Sequence, residues 1–298
     1  MGDGLSRKNI TPSQPRRALI TGAAGLLGRH MAARLSESLW QVTALARQQL
    51  DITREIDARA AVEKARPDVV INCAVTGDVD RCEREPDWAA AVNTEGPRLL
   101  ARACRDLGIE IVHVSTDYVF DGAKEGFYTE QDEPRPLSVY GRSKLAGEAA
   151  VRSETDRSYI IRTSWIFGAG GRNFGSRVIE YARRGLDIKC VTDQTSITTY
   201  APDLARRMEE IINRGQHGLY HVTSTGATSW YDFAREALAL AGLGHIEIIP
   251  VARADLRQLA PRPRNTAMKS MILERLGLAP LRHWRDALPE FIKEGVMG

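Results

Sequence analysis

RALITGAAGLLG, residues 17–28, begins as a short apolar run, becomes glycine-rich and then enters an amphipathic stretch. This order of strand, tight turn and helix is typical of a loop that binds a dinucleotide, because a helix N-terminus offers free backbone N–H groups and partial positive charge. The glycines would permit the turn, the approach of a pyrophosphate and close helix packing. A purely structural turn is the alternative. We predict cofactor contacts at Gly22, Gly25, Leu26, Leu27 and Gly28.

Four further apolar runs follow this first one along the chain. They read WQVTALAR, PDVVINCAV, IEIVHVSTDYVF and SYIIRTSWIFG, and helical patterns separate them. Short apolar runs that alternate with helical patterns indicate a parallel sheet covered by helices on both faces. The second half of the chain is less regular. We therefore predict an α/β fold, with a Rossmann-type doubly wound parallel sheet and a smaller C-terminal α/β substrate-binding part.

Composition and charge argue against several classes of partner. The 298 residues carry a formal net charge of +3, with basic residues interspersed among acidic ones, so we expect no nucleic-acid surface. Because the sequence has no apolar run near the about 18 residues of a membrane helix, we expect no membrane span. The cysteines form no C-x-x-C pair and no ligand-like cluster, which predicts a reducing, cytoplasmic compartment and no metal site.

The stretch TALARQQLDIT, residues 43–53, bears on the choice of cofactor. An NAD-preferring site would place an acidic residue near the end of the second strand, where it receives the ribose hydroxyls. Here Arg47 stands at that point, and no acid occurs until Asp51. Because a guanidinium can form a bidentate pair with a 2′-phosphate, we predict NADPH as the cofactor, with NADH as a second candidate. A solvated arginine at a strand end is the alternative.

YGRSK, residues 140–144, places a tyrosine and a lysine one helical turn apart on the same face. A free phenol has a pKa of about 10, and an ammonium about 4 Å away could lower it by about 3 units at an effective dielectric of about 20. Tyr140 would then protonate a carbonyl oxygen while hydride reaches the carbon, and Thr116 could hydrogen-bond the same oxygen. We predict Thr116, Tyr140 and Lys144 as catalytic, and the last two also as cofactor contacts. A structural pair is the alternative.

Longer motifs carry a resemblance to a known family. They are TGAAGLLG, LDIT, RPDVVINCAV, VDRCEREPDWAAAVNTEG, VHVSTDYVFDG, PLSVYGRSKLAGE, IIRTSWIFG and RPRN. Together they resemble the dTDP-4-dehydrorhamnose reductases, which are extended short-chain dehydrogenases of the sugar-nucleotide branch. The resemblance implies NADPH-dependent reduction of the 4-keto group of a nucleotide-linked 6-deoxy-4-keto-hexose. The first candidate substrate is dTDP-4-dehydro-L-rhamnose, whose reduction completes the synthesis of dTDP-L-rhamnose for cell-surface polysaccharides.

The resemblance also implies site residues. Further cofactor contacts fall on Asp51, Ile52, Cys73, Ala74, Val75 and Asn93. Contacts to the nucleotide-sugar substrate fall on Thr116, Asp117, Tyr118, Trp165, Gln194, Arg262 and Arg264. The two arginines are the expected partners of the diphosphate, because a guanidinium fork matches phosphate oxygens. A homodimer is one candidate assembly.

Two departures from the family pattern leave alternatives open. The family commonly has NAAAYT where this chain has NCAVTG, and DQxGxPT where it has DQTSITTY. Because the second change lies close to the expected sugar pocket, another dTDP sugar or a GDP-linked 4-keto-6-deoxyhexose is an alternative substrate. A rival of another class is a non-catalytic NADP-binding regulatory subunit resembling methionine adenosyltransferase β. An epimerase or dehydratase fits less well, because Tyr118 rather than Glu follows Asp117.

The domain boundaries complete these expectations. Residues 1–16 are polar, basic and interrupted by proline, which predicts a flexible tail. We assign the NADP-binding domain to 17–165, with a return segment at about 196–225 that the resemblance implies. The substrate-binding domain takes 166–195 and 226–298.

Overall fold

The structure is a computed structural model that describes residues 15–296. Most of the tail predicted at 1–16 therefore lies outside the described residues. Within residues 15–296, no helix is both long enough and apolar enough to cross a membrane.

The strands and helices alternate through the first half of the chain. The strands are β1 (Arg17–Thr21), β2 (Gln41–Leu45), β3 (Val69–Asn72), β4 (Glu110–Thr116), β5 (Ser158–Thr163), β6 (Ile166–Phe167), β7 (Lys189–Val191), β8 (Thr195–Ser196), β9 (Thr199–Tyr200), β10 (Gly218–His221), β11 (Thr228–Ser229) and β12 (Ile249–Val251). The helices are α1 (Leu26–Glu37), α2 (Glu55–Ala65), α3 (Val79–Arg84), α4 (Pro86–Ala90), α5 (Gly96–Asp106), α6 (Val139–Glu154), α7 (Phe174–Arg183), α8 (Ala201–Arg214), α9 (Trp230–Leu240), α10 (Ile272–Arg275) and α11 (Trp284–Val296).

The central sheet has six strands in the order β2-β1-β3-β4-β5-β10, and every neighbouring pair is parallel. The chain runs outward from β1 to β2 and then returns across β1 to β3, so the strand order reverses between β1 and β3. In open α/β sheets, ligands bind outside the carboxyl ends of the strands at such a reversal. The predicted doubly wound parallel sheet is confirmed.

The pairing register sets three polar side chains side by side at the carboxyl end of the sheet. Thr21 of β1 stands beside Asn72 of β3, and Asn72 stands beside His113 of β4. All three are buried, whereas most of their neighbours within the strands are aliphatic. Buried polar groups of this kind need hydrogen-bond partners, and the row supplies them.

Helices cover both faces of the sheet. On one face, α1 and α8 pack together over a cluster that contains Met31, Leu35 and Met208. On the other face, α2 and α5 cover a cluster that contains Val62 and Leu100. Strands buried on both faces read as continuous apolar runs, which is why the sequence shows such runs for β3 and β5.

The later segments build a second apolar cluster around α7, α9 and α11, with Phe233, Trp284 and Phe291 at its centre. Strand β10 and helix α8 return to the central sheet, as the resemblance implied for about 196–225. Leu273, Leu278 and Leu281, however, fall in the range assigned to the substrate-binding domain and pack into the cluster under α1 and α8. Their apolar side chains cover the end of the sheet there. The division into two domains is otherwise still a prediction.

A single π-helical turn, Ala91–Glu95, joins α4 to α5 in one continuous helical run. Pro97 explains the widened turn, because proline has no N–H to donate to the carbonyl of Asn93 four residues earlier. Helix α6 packs against this turn at Gly147, where a Cβ atom would lie 2.2 Å from the Asn93 carbonyl oxygen. Only a glycine permits so close an approach.

We predict that Gly147→Ala destabilises the protein although alanine is the better helix former. Helix propensity would favour alanine by about 1 kcal/mol, but overpacking against a backbone oxygen costs about 1–3 kcal/mol. The free energy of unfolding, measured by urea denaturation, should fall by roughly 1–2 kcal/mol. Ser153→Ala, at an exposed position of the same helix, is the control and should change it little. A more stable Gly147→Ala protein would contradict the close contact.

Candidate active site

The glycine loop sits against the end of β3. Gly22 has a φ of +66°, which favours glycine, and a Cβ there would lie 2.6 Å from the Ala74 nitrogen. The Gly25 N–H donates to the Gly22 carbonyl at 2.9 Å and closes the turn. Helix α1 then begins at Leu26, and among the described residues no side chain caps its N-terminus. The first turn of α1 therefore keeps the free N–H groups that an anion needs.

A cavity of about 470 Å³ opens beside this loop, at the reversal of the strand order. Most of the predicted cofactor contacts line it. They are Gly22, Gly25, Arg47, Asp51, Ile52, Cys73, Ala74 and Val75. These residues come from three separate segments of the chain, which follow β1, β2 and β3, and the structure brings them together around one space.

Three residues of the predicted set contribute backbone at most. The side chain of Leu27 is buried in the apolar cluster under α1 and α8, and Leu26 faces Gly171 instead of the cavity. A Cβ at Gly28 would lie 2.5 Å from the Gly22 carbonyl oxygen, so Gly28 serves the packing of the helix on the turn. Any contact of these three residues with a cofactor would therefore use the backbone, because the first turn of a helix presents its N–H groups, not its side chains, to the loop.

Arg47 and Asp51 stand at the rim of the cavity. The Thr53 hydroxyl and backbone N–H donate to Asp51 Oδ1 at 2.7 and 3.0 Å. These hydrogen bonds, helped by the positive charge of Arg47, hold the pKa of Asp51 below its usual value, so Asp51 is an anion at neutral pH. Arg47 itself is exposed, with its side chain free to meet a charged group in the cavity.

Asn93 lies behind the cavity wall rather than in it. Its Oδ1 accepts from the Thr76 N–H at 3.0 Å, and its Nδ2 donates to the Thr76 carbonyl and to Ser143 Oγ. The amide thus ties the segment after β3 to the first turns of α6. This position differs from the predicted direct cofactor contact, because the side chain is fully buried and engaged with protein groups.

Thr116 and Tyr140 meet beside Tyr118, and neither of the two lines a cavity itself. Thr116 ends β4, and Tyr140 lies in the first turn of α6, whose N-cap Ser138 accepts from the Gly141 N–H. Burial raises the pKa of Tyr140, and a hydrogen bond with Thr116 opposes this effect without cancelling it. The ring of Tyr118 meets that of Tyr140 edge-on at 5.8 Å between centroids. Tyr140 therefore holds its proton in this structure.

Lys144 departs from the geometry that the sequence predicted. Its Nζ donates to the Val114 carbonyl at 2.6 Å and lies 3.3 Å from His113 Nε2, and the electrostatic causes that act on Tyr140 do not include it. Burial lowers the pKa of Lys144 to about 8, against the opposing charges of Glu148 and Cys73. The expectation that Lys144 lowers the pKa of Tyr140 is thus not met here, because the amine is held on the strand side of α6.

A second cavity, of about 860 Å³, lies on the other side of Tyr118. Gly77 lines both cavities, so they adjoin. Of the predicted substrate contacts, Tyr118, Gln194 and Arg262 line this second cavity. The lining also includes residues that sequence reasoning missed, namely Arg172, Asn173, Phe174, Arg177, Lys189, Trp230 and Gln258.

A signal for some of the missed residues exists in the sequence. After β6 the chain reads GAGGRNFGSR, in which a glycine-rich loop leads into α7 with Asn173 as its N-cap. Arg172 and Arg177 flank this helix start. Arginines around a helix N-terminus that follows a glycine-rich loop are a pattern for anion binding, and it could have been recognised.

Aromatic side chains form one wall of the second cavity. Trp165 stacks on Trp230 with 3.5 Å between centroids, although Trp165 itself does not line the cavity. Gln194 bridges the wall to the catalytic side, because it accepts from Trp230 Nε1 and donates to the Tyr118 hydroxyl, each at 3.3 Å. The φ of +37° at Trp165 is unusual for a large residue, and such strain persists only where the surroundings hold it.

The structure separates the two arginines that the resemblance implied. Arg262 donates to Asp80 Oδ1 at 2.6 Å and lines the second cavity, and this ion pair holds the pKa of Asp80 low. Arg264 is exposed and lines neither cavity, and its carbonyl accepts from the Thr195 N–H. Pro263, which lies between the two arginines, is buried. Within residues 15–296, no group of three or more His, Cys, Asp or Glu residues could hold a metal ion.

Asp117 joins the catalytic strand to the second part of the chain. Its carboxylate is buried and accepts from Thr116, from Ser196 and from Thr266. Burial raises its pKa to about 6, and the three hydroxyl donors act in the opposite direction. Asp117 is therefore a buried residue that connects β4 to later segments through hydrogen bonds. It differs in this from the predicted substrate contact.

We predict a pH-dependent stability term from Asp117. Between pH about 4 and about 6 the folded state keeps a proton that the unfolded chain has lost, so the free energy of unfolding falls as pH rises. The full effect of this carboxyl is up to ~3 kcal/mol. Asp117→Asn should flatten this slope. Urea denaturation of both proteins from pH 4 to pH 8 measures the difference, and parallel curves would contradict the prediction.

Comparisons with known proteins agree in one family. The family described as RmlD substrate binding domain matches residues 16–297. A dTDP-4-dehydrorhamnose reductase of Streptomyces griseus is 41% identical over 287 residues, which cover 94% of each chain. A dTDP-4-keto-6-deoxy-D-glucose reductase of Streptomyces niveus is 38% identical over 275 residues, 92% of this chain and 96% of that protein. The crystal structure of a Bacillus anthracis dTDP-4-dehydrorhamnose reductase in complex with NADP superimposes with a TM-score of 0.91 at 33% identity, over 94% of this chain and 100% of that one.

Proposed function

The chain belongs to the dTDP-4-dehydrorhamnose reductase family, and on this premise we propose that it reduces the 4-keto group of a nucleotide-linked 6-deoxy-4-keto-hexose with NADPH. The resemblance predicted from the sequence motifs is thereby confirmed. One observation carries the proposal for this chain: a protonated Tyr140, hydrogen-bonded to Thr116, packs against Tyr118, which lines the cavity with aromatic and basic side chains that adjoins the glycine-loop cavity.

The residues around the first cavity fit NADPH. Gly25 lines the cavity without a side chain, so a group in the cavity can approach the backbone of the loop closely. The free N–H groups at the start of α1 suit a pyrophosphate, and Arg47 suits a 2′-phosphate. Asp51, which is an anion, lies on the same rim and would suit hydroxyl or amino groups of the nucleoside.

The chemistry needs a hydride at the carbonyl carbon and a proton at its oxygen. NADPH supplies the hydride when bound. Tyr140 supplies the proton, and its raised pKa keeps the phenol protonated until the ketone oxygen gains negative charge. The Thr116 hydroxyl, within hydrogen-bonding reach of Tyr140, would hold the same oxygen. Lys144 lies one helical turn from Tyr140 and, in its charged form, would balance the phenolate that proton transfer leaves.

The second cavity suits a nucleotide sugar. Arg172, Arg177, Lys189 and Arg262 bring positive charge to its lining, which matches a diphosphate. Phe174 and Trp230 offer flat apolar surfaces for the base or the deoxysugar methyl group. In this chain we therefore assign the diphosphate to Arg262 and the arginines around α7, and no longer to Arg264.

The identity of the sugar is the finer part of the proposal. Our first candidate is dTDP-4-dehydro-L-rhamnose, after the relative from Streptomyces griseus. The relative from Streptomyces niveus has a comparable sequence identity of 38%, and it is named for dTDP-4-keto-6-deoxy-D-glucose. The stretch DQTSITTY, residues 193–200, contains Gln194 and departs from the family pattern. Both keto-sugars should therefore be compared directly as substrates.

A cytoplasmic location and a homodimer are further parts of the proposal. Cys73, Cys82, Cys104 and Cys190 are all free thiols in the structure, which fits a reducing compartment. Light scattering on the purified protein measures its mass directly and distinguishes one chain from two.

The experiment that tests the proposal follows NADPH absorbance with each keto-sugar generated in situ. The proposal expects oxidation that depends on the sugar nucleotide, with the larger kcat/KM identifying the substrate. A GDP-linked 4-keto-6-deoxyhexose serves as the comparison for the base. If the protein binds NADPH but oxidises it with none of these sugars, the proposal fails and the regulatory-subunit alternative gains support.

Tyr140→Phe should lower kcat by about 10²–10⁴-fold, because the variant loses the proton donor. The ring and its packing against Tyr118 are kept, so NADPH affinity measured by fluorescence quenching should change little. Tyr231→Phe is the matched control, at a tyrosine on α9 that lines neither cavity. Equal loss of cofactor binding and turnover in Tyr140→Phe would contradict the assigned role.

Arg47→Ala should weaken NADPH more than NADH. The guanidinium is the basic group that lines the cavity at the end of β2, so its loss should raise KM for NADPH by about 10-fold or more while KM for NADH stays nearly constant. Arg54→Ala, at an exposed arginine outside the cavity lining, is the control. A parallel rise for both cofactors would mean that Arg47 does not recognise the 2′-phosphate.

A further inference from the structure

A row of buried polar side chains connects the wall of the cofactor cavity to Lys144. The row starts at the backbone N–H of Ala74, which donates to Asn72 Oδ1 at 3.1 Å. The Thr21 hydroxyl donates to the same oxygen at 2.7 Å. Ala74 lies directly against Gly22 of the glycine loop. A backbone N–H can only donate, so this end of the row has a fixed direction.

The direction passes through Asn72 to His113. Because Asn72 Oδ1 accepts from Ala74, the amide nitrogen Nδ2 is the atom that faces His113 Nδ1, at 3.2 Å. An amide nitrogen can only donate, so Nδ1 must accept and carries no proton. Burial lowers the pKa of His113 well below its usual value, so the ring is neutral. Its single proton therefore sits on Nε2.

The same direction reaches Lys144. His113 Nε2 lies 3.3 Å from Lys144 Nζ, and Lys144 donates onward to the Val114 carbonyl at 2.6 Å. A protonated Nε2 can bind Lys144 only if the lysine nitrogen offers a lone pair. An ammonium has none, and it would place two donors face to face.

We propose that Asn72 and His113 are positioning residues that hold the catalytic lysine as a neutral amine in the cofactor-free protein. The chain of hydrogen bonds runs in one direction, from Ala74 through Asn72, His113 and Lys144 to the Val114 carbonyl. Each contact along it then joins one donor to one acceptor. The inference deepens the proposed function, since it concerns the lysine on which that function relies.

The surroundings of Lys144 are consistent with this state. Glu148 on its own helix and Cys73 at the end of β3 are the other ionisable groups that act on it, and both favour the charged form. Glu148, however, is already paired through both oxygens with Arg162 at 2.8 and 2.7 Å. Lys144 itself forms no ion pair within residues 15–296, so burial dominates and lowers its pKa to about 8. The neutral amine that we propose is therefore the main form above that pH.

Protonation of Lys144 must reverse or break this chain. Reversal would turn the Asn72 amide over and leave the buried N–H of Ala74 facing another donor. Breaking it would release the ammonium from His113 and allow it to turn along α6 toward Tyr140. In either case, proton uptake by Lys144 is coupled to the wall of the cofactor cavity. A cofactor that recruits the lysine as a charged donor should therefore bind with uptake of a proton above pH about 8.

The experiment is nitrogen NMR of the histidine rings in the cofactor-free wild-type protein at pH 9. His113→Gln identifies the His113 signals, and His245→Gln, at an exposed histidine, is the control for the assignment. The proposal expects His113 in the neutral form with its proton on Nε2. It also expects these signals to shift with the midpoint at which Lys144 titrates, followed through the lysine Cε resonance. A proton on Nδ1, or an imidazolium, would overturn the proposal.

Asn72→Asp adds a test of direction. A carboxylate of the same shape can only accept, so the proton of His113 should move to Nδ1, and Nε2 should then accept from a charged Lys144. The proton affinity of Lys144 should rise at least tenfold, which moves its midpoint up by one pH unit or more. An unchanged tautomer and midpoint in a folded variant would contradict the proposal. If the variant does not fold, the wild-type tautomer alone decides. These readouts use no substrate, so they test the state of Lys144 separately from keto-sugar reduction. Either proposal can therefore be contradicted while the other is supported.

Discussion

The in-register row of Thr21, Asn72 and His113 across β1, β3 and β4 is the constraint on which the rest of the site depends. A shift of one residue in either pairing would turn these side chains to the opposite face of the sheet. The glycine loop would then lose its contact with Ala74, and Lys144 would lose its partner. The cofactor cavity and the catalytic helix are therefore positioned by the same strand register and not by separate loops.

The sequence predicts the fold well because the deciding signals are local. Apolar runs such as VVIN and YIIR are long enough to indicate buried parallel strands, and the glycines around Gly22 indicate a turn after β1. Segments that touch the glycine loop were also predictable, since they follow consecutive strand ends on one edge of the sheet. The packing of Leu273 under α1 and α8 was not predictable, because four helical residues followed by scattered leucines have no periodicity that indicates their partner.

The site was less predictable where a side chain chooses among distant partners. A spacing of four residues places Tyr140 and Lys144 on one face of α6, but it does not reveal that the Val114 carbonyl and His113 hold the amine. Similarly, nothing local to Asp117 indicates that hydroxyls from Ser196 and Thr266, about 79 and 149 positions away, surround its carboxylate. Burial by remote segments changes the roles of Lys144 and Asp117. The residues next to them in the sequence do not indicate this burial.

The π-helical turn at Ala91–Glu95 has a bearing on the ancestry of this helix. Such a turn holds one residue more than an α-helical turn, so it has the form of a single-residue insertion that the helix absorbed without a break. Pro97 then makes the widened turn the better solution, since an ordinary turn would leave the Asn93 carbonyl without a donor in any case. Deleting one residue here would rotate Asn93 by about 100° relative to α5 and separate it from Thr76 and Ser143. The length of this turn therefore matters as much as its sequence, because it sets the direction of the Asn93 side chain.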